Sequence, residues 1–122
     1  SDRSLIAMDS KDYVIKETKY RVSLIETQTP QAVLNRKEGL KNAMSDICAS
    51  SDVNQVLAFV IDISKEEATL IIPDGHTKAL VEQVFGVKTT EDTVVLPGIM
   101  SRKKQIIPAL HRSLEGGCNL AA

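Results

Sequence analysis

Apolar residues along this chain switch repeatedly between a two-residue and a 3.6-residue period, an alternation of strand and helix that favours an α/β layer arrangement. The pattern predicts a short opening helix around Ser4 to Asp9, then extended segments over Asp12 to Lys16 and Lys19 to Thr27. In the second of these, Tyr20, Val22, Leu24 and Glu26 share one face, and the two segments are expected to be neighbouring strands. Thr29 and Pro30 mark a helix start, a hydroxyl at the N-cap followed by a ring pre-set for the first turn. Val33, Leu40, Met44, Ile47 and Cys48 recur on one side of a long helix that should run to about Ala49.

Val56 to Ile63 is nearly continuous apolar sequence, the pattern of a central strand whose two faces are both covered by helices. Asp62, Ser64, Lys65 and Glu66 punctuate the short turn into Ala68 to Ile72, so a hairpin is expected and the sheet should be mixed. Pro73 ends that strand, and Asp74-Gly75 leads into a helix with Leu80, Val81, Val84 and Phe85 inward. Gly86 closes the helix as the residue best able to adopt a left-handed C-terminal conformation, and Val87 is expected to pack back over it. Thr93 to Leu96 reads as the last strand, broken by Pro97-Gly98. Ser101 opens a final helix carrying Ile106, Ile107, Leu110 and Leu114, and Gly116-Gly117 releases a flexible tail over 116–122.

With 122 residues, 43% of them hydrophobic and 25% charged, the expectation is a single domain with a core that needs no disulfide or metal staple. A net charge of -1 provides no general basic field for a polyanion or a membrane surface, so any anion site must be local. No apolar run approaches the ~20 residues of a membrane-spanning helix, which predicts a soluble protein without membrane contact. The absence of Trp, with two Phe and two Tyr, leaves no stacking platform and argues against nucleic acid as a partner. Cys48 and Cys118 are too few for a disulfide framework and too distant for a metal knuckle, which fits a reducing cytoplasm. The opening Ser-Asp-Arg-Ser carries neither initiator Met nor signal core, so the chain is expected to begin part-way through a longer polypeptide.

The most informative segment is Ser101-Arg102-Lys103-Lys104-Gln105, three cations in a row where a helix starts. A helix N-terminus already carries partial positive charge and unpaired N–H groups, so stability alone would place acids there. The same donors, with an Arg fork and Lys point charges, make a pocket for a compact anion such as phosphate or pyrophosphate. A solvated charge run at a helix end is the other reading of the same residues. Lys104 lies ~100° around the helix from Lys103 and ranks below Arg102 and Lys103, while Pro108 withholds the N–H that would bond Lys104 and makes the first turn irregular.

Gly98 followed by Ser101-Arg102-Lys103-Lys104-Gln105-Ile106-Ile107-Pro108 resembles the ending of the manganese-dependent, family II inorganic pyrophosphatases. Asp9-Ser10-Lys11-Asp12-Tyr13 resembles that family's Asp-x-Lys-x-aromatic element, with Ser23-Leu24-Ile25-Glu26-Thr27, Ile61-Asp62-Ile63 and Gln83-Val84-Phe85-Gly86-Val87 matching further along. The resemblance covers roughly residues 2 to 114 and is to the C-terminal, DHH-associated substrate-binding domain, here over 1–115. It implies a single α/β domain with a mixed five-stranded sheet and helices on both faces.

The resemblance further implies that Lys11, Arg102 and Lys103 bind pyrophosphate, with Lys104 and Ser101 as auxiliaries and no catalytic residue or metal ligand in this chain. Spacing alone makes Lys11 an exposed lysine between a helix and a strand. Mn2+, or Mg2+ or Co2+, would be held by an N-terminal Asp-His-His domain of the same polypeptide, and a metal-activated nucleophile there would attack pyrophosphate clamped here. The full-length protein would be a cytoplasmic homodimer, and the isolated chain is expected to be inactive. Apolar Leu24 stands where many relatives have Gln, which bears on substrate preference. His76 and His111 lack carboxylate-rich neighbourhoods, and Asp62 to Glu67 reads as a solvated turn. Three other readings remain open: a domain of a short-chain exopolyphosphatase, a non-catalytic phosphate- or nucleotide-binding module, and an interaction domain whose 102–104 patch meets an acidic protein surface.

Overall fold

In a computed structural model, residues 6–65, 67–96, 106, 108, 111 and 112 are described, with the backbone alone at Ile6, Ala7 and His76. The chain begins as a hairpin of two ten-residue strands, β1 (Ile6–Ile15) and β2 (Thr18–Thr27), paired antiparallel from Ile6↔Thr27 to Ile15↔Thr18. Lys16 and Glu17 make the connection with φ of 49° and 69°, the left-handed pair that matches the twist of a two-residue hairpin. The opening helix expected around Ser4 to Asp9 is not formed from Ile6 onward, and residues 4 and 5 lie outside the described ones. Pairing along all of β2 overrides the local pattern, because each added rung satisfies backbone groups that a short isolated helix satisfies poorly. Two side-chain pairs pin the register: Ser10 Oγ lies 2.8 Å from Ser23 Oγ, and Arg21 donates to both Asp12 oxygens at 2.7 and 3.1 Å.

The long helix expected over 30–49 is two helices, α1 (Pro30–Leu34) and α2 (Lys37–Ser50). The break lies at Asn35 and Arg36, where the Arg36 N–H donates to Val33 O at 2.9 Å, an i−3 bond that tightens the last turn. Thr29 occupies the N-cap position but does not cap with its side chain; its hydroxyl sits 3.2 Å from Thr27 Oγ1. The apolar stripe nevertheless continues across the break, with Val33 and Met44 buried and Leu34, Leu40, Ile47 and Cys48 packed beside them.

β3 (Gln55–Asp62) is buried along its whole length, as a central strand covered on both sides must be. It runs parallel to β2 and antiparallel to β4 (Glu67–Ile71), and β5 (Thr93–Val95) completes a mixed sheet in the order β1-β2-β3-β4-β5. On one face a core of Val22, Leu24, Leu57, Phe59, Ile61, Leu70 and neighbours is closed by α3 (Gly75–Phe85) and by Ile106 of the terminal helix. On the other, Ile25, Val56, Ala58 and Val60 pack under α1 and α2. The α3 boundaries are those the sequence predicts: the Thr77 N–H donates to Asp74 Oδ1 at 2.8 Å, and Gly86 takes φ 67°. Val87 packs against the first core, and helical Pro108, His111 and Arg112 are exposed. The expected tail over 116–122 lies outside the described residues.

Candidate functional site: the open face of the edge strand

Alternation along β1 sorts its side chains. Asp9, Lys11 and Tyr13 stand on the face of the first core, opposite Leu24, Val22 and Tyr20, while Met8, Ser10, Asp12 and Val14 stand on the other. Lys11 is therefore inside an edge strand, not between a helix and a strand, and it is exposed. Its Nζ lies 5.7 Å from the ring centroid of Tyr13, two residues on and half-buried against the first core. The ring's negative face attracts the ammonium and restrains a side chain that would otherwise sweep freely. Among the described residues Lys11 forms no ion pair; the neighbouring Asp12 carboxylate is engaged across the strand by Arg21 on the opposite face. That engagement holds the Asp12 carboxyl below its ordinary range, the Arg21 hydrogen bonds outweighing desolvation.

β2 and β3 both finish at one end of the sheet, where Thr27 is fully buried and Asp62 is 8% exposed. Asp62 differs from the solvated turn expected there: its Oδ1 accepts from the Ser64 N–H and hydroxyl, and these bonds hold its carboxyl below the usual range. Ser64 and Lys65 are exposed as expected. Leu96 leaves β5 at this same end, its N–H donating to Ala68 O at 2.9 Å, and Ile106 returns fully buried into the first core. The candidate residues Ser101, Arg102, Lys103 and Lys104 fall between those two points and lie outside the described residues. Lys11 and Ile106 belong to one face of the sheet.

Among the described residues no three His, Cys, Asp or Glu side chains come together to hold a metal ion. His76 is the second residue of α3, and His111 sits exposed on the terminal helix. Leu24 is 7% exposed within the first core and offers no polar atom beside Lys11. Two features escaped the sequence reading. Tyr13 as a rest for Lys11 was recoverable from the two-residue period, which puts both on one face. Asp92, clamped by Lys37 Nζ at 2.8 Å and Lys41 Nζ at 3.2 Å, was not, since more than 50 residues separate the partners. The Lys37 hydrogen bond, with a lesser one from Lys41, holds the Asp92 carboxyl below its ordinary range against opposing desolvation.

The profile of a family described as the DHHA2 domain matches residues 1–113. The chain is 29% identical over 106 residues to the manganese-dependent inorganic pyrophosphatase of Bacillus subtilis, spanning 87% of this chain and 34% of that protein. It is 34% identical over 108 residues to a probable manganese-dependent inorganic pyrophosphatase of Clostridium acetobutylicum, spanning 88% of this chain and 34% of the relative. A crystal structure from Methanococcus jannaschii, provisionally assigned to the family II inorganic pyrophosphatases, superposes with a TM-score of 0.74 at 27% identity, over 88% of this chain and 34% of that one. The chain spans little more than a third of the length of the relatives it matches.

Proposed function

Because the chain belongs to the DHHA2 domain family, we propose that it is the pyrophosphate-binding half of a manganese-dependent inorganic pyrophosphatase. The observation that carries the reading is Lys11: an ammonium without an ion pair among the described residues, rested on an aromatic ring, on the sheet face that also receives the terminal helix. An unpaired cation on a restrained side chain is ready to meet an anion without first breaking another contact. Arg102 and Lys103 would supply the other cations, with Ser101 and Lys104 as auxiliaries. Together they would hold the anhydride and neutralise its oxygens as water adds to one phosphorus and the bridging P–O bond breaks, leaving its electron pair on the departing phosphate.

Among the described residues no three His, Cys, Asp or Glu side chains come together that could hold a manganese ion. The reading assigns the metal and the nucleophile to an N-terminal Asp-His-His domain of the same polypeptide, with this chain as the clamp. Apolar Leu24, buried opposite Asp9 on the face that carries Lys11, bears on substrate preference and favours testing a short polyphosphate alongside pyrophosphate. Hydrolysis of pyrophosphate against tripolyphosphate by the complete protein separates the two substrates.

The clamp itself is tested by Arg102→Ala in the complete protein. Loss of a charge-assisted bidentate contact should lower kcat/KM by about 100-fold, equivalent to about 3 kcal/mol. Unchanged kcat/KM would remove Arg102 from the site. The isolated chain should release no phosphate from pyrophosphate with Mn2+, and robust metal-dependent release would overturn the division between two domains.

A further inference from the structure

We propose that the open edge of β1 pairs antiparallel with the same edge of a second copy of this chain, continuing one sheet through both. Among the described residues β1 is the outer strand of the sheet and is paired on one side only, by β2. The Lys16-Glu17 turn closes on the hydrogen-bonded pair Ile15↔Thr18, so alternation turns the N–H and C=O groups of Met8, Ser10, Asp12 and Val14 outward. Sheets commonly blunt such an edge by making it short, bulged or interrupted by proline. β1 runs ten residues in unbroken register and contains no Pro.

Charge and symmetry select the register. A two-fold axis relates the strands of such a pair, and directly opposed residues share a face, so the axis passes through a residue and not between two. At Asp9, Lys11 or Asp12 a charge would meet its own copy, and axes beyond these shorten the overlap. With the axis at Ser10, Asp9 of each copy stands opposite Lys11 of the other. These are non-hydrogen-bonded positions, where opposed side chains come closest. Asp9 and Lys11 are both exposed, and among the described residues neither enters an ion pair. An edge lysine ordinarily repels an incoming strand; here its counter-charge lies two residues away on the same face.

The other face gains apolar cover. Met8 and Val14 are 68% and 66% exposed and share a face of β1 with Ser10. About an axis at Ser10, each Met8 lies diagonal to Val14 of the second copy, within reach of its flexible side chain. Asp12, opposite Met8, already has its charge met by Arg21 of its own copy. The pairing does not rest on the function proposed above; the two share Lys11, for whose ammonium a second copy and pyrophosphate would compete.

Sedimentation velocity of this chain from micromolar to millimolar concentration should show a reversible dimer that grows with concentration. Asp9→Lys and Lys11→Asp each set like charges opposite and should weaken dimerisation about tenfold or more. Mixed together, these two variants should form a heterodimer as strong as the parent pair, because every Lys again meets an Asp. In a chain with Cys48→Ala and Cys118→Ala, Ser10→Cys should oxidise to a disulfide-linked dimer, since a residue opposing its own copy at a hydrogen-bonded position lies ~5.5 Å away. Val14→Cys, on the same face but far from its own copy, should remain monomeric. A chain monomeric at every concentration, charge variants that dimerise as the parent does, a mixture that does not associate, or equal crosslinking through Val14→Cys would each overturn the proposal.

Discussion

Replacing Lys11 by Met removes the ammonium while keeping an unbranched chain of similar length, so it isolates the charge. In the folded chain that charge lies 5.7 Å from the Tyr13 ring centroid and, among the described residues, enters no ion pair. An exposed cation–ring contact is worth at most about 1 kcal/mol, so thermal unfolding of the chain should move by only a few degrees. Toward pyrophosphate the same charge counts for more. At ~4 Å and an effective dielectric near 20 the gross attraction is about 4 kcal/mol, and after desolvation a charged hydrogen bond keeps about 1.5–3 kcal/mol. Steady-state phosphate release by the complete protein carrying Lys11→Met should therefore show kcat/KM reduced about 10- to 150-fold, with Lys11→Arg intermediate. If kcat/KM stays within about twofold of the parent, or if Lys11→Met destabilises the fold by more than about 2 kcal/mol, Lys11 is a structural residue and the reasoning fails.

The hairpin turn, the central strand and the α2 clamp each give a further test. Lys16→Asn with Glu17→Gly places residues that tolerate positive φ at 49° and 69°, and urea unfolding should show a gain of about 1–2 kcal/mol. Phe59→Ala opens a hole at a fully buried position of β3 and should cost about 3–5 kcal/mol, read as a lowered urea midpoint at unchanged slope. Asp92→Asn removes the partner of Lys37 and Lys41 and should lower the melting temperature at pH 7. Because the folded carboxyl of Asp92 titrates below its unfolded value, its stabilisation is present above pH ~4 and fades as pH falls through the folded pKa, so parent and variant melts should converge in acid.

Lys11 shows where sequence reading ran short. Its residue type and its place in an Asp-x-Lys-x-aromatic element were visible, but spacing put it in a connector, and its position in β1 depends on pairing with Val22 across the hairpin. Asp62 reads as one more acid in a polar turn; its burial follows from closure of β3 against β2 and β4.

Local chemistry decided the elements whose causes lie within a few residues: the all-buried strand over Gln55–Asp62, the Asp74 cap, the left-handed Gly86 and the β3–β4 hairpin. These need only side-chain period, a capping carboxylate or a missing Cβ, all written in consecutive residues. Tertiary structure alone decided that Ile6 to Asp9 is strand and that the face carrying Lys11 is closed by Ile106. In both cases the winning interaction is with a partner distant along the chain, and its free energy outweighs a weak local preference.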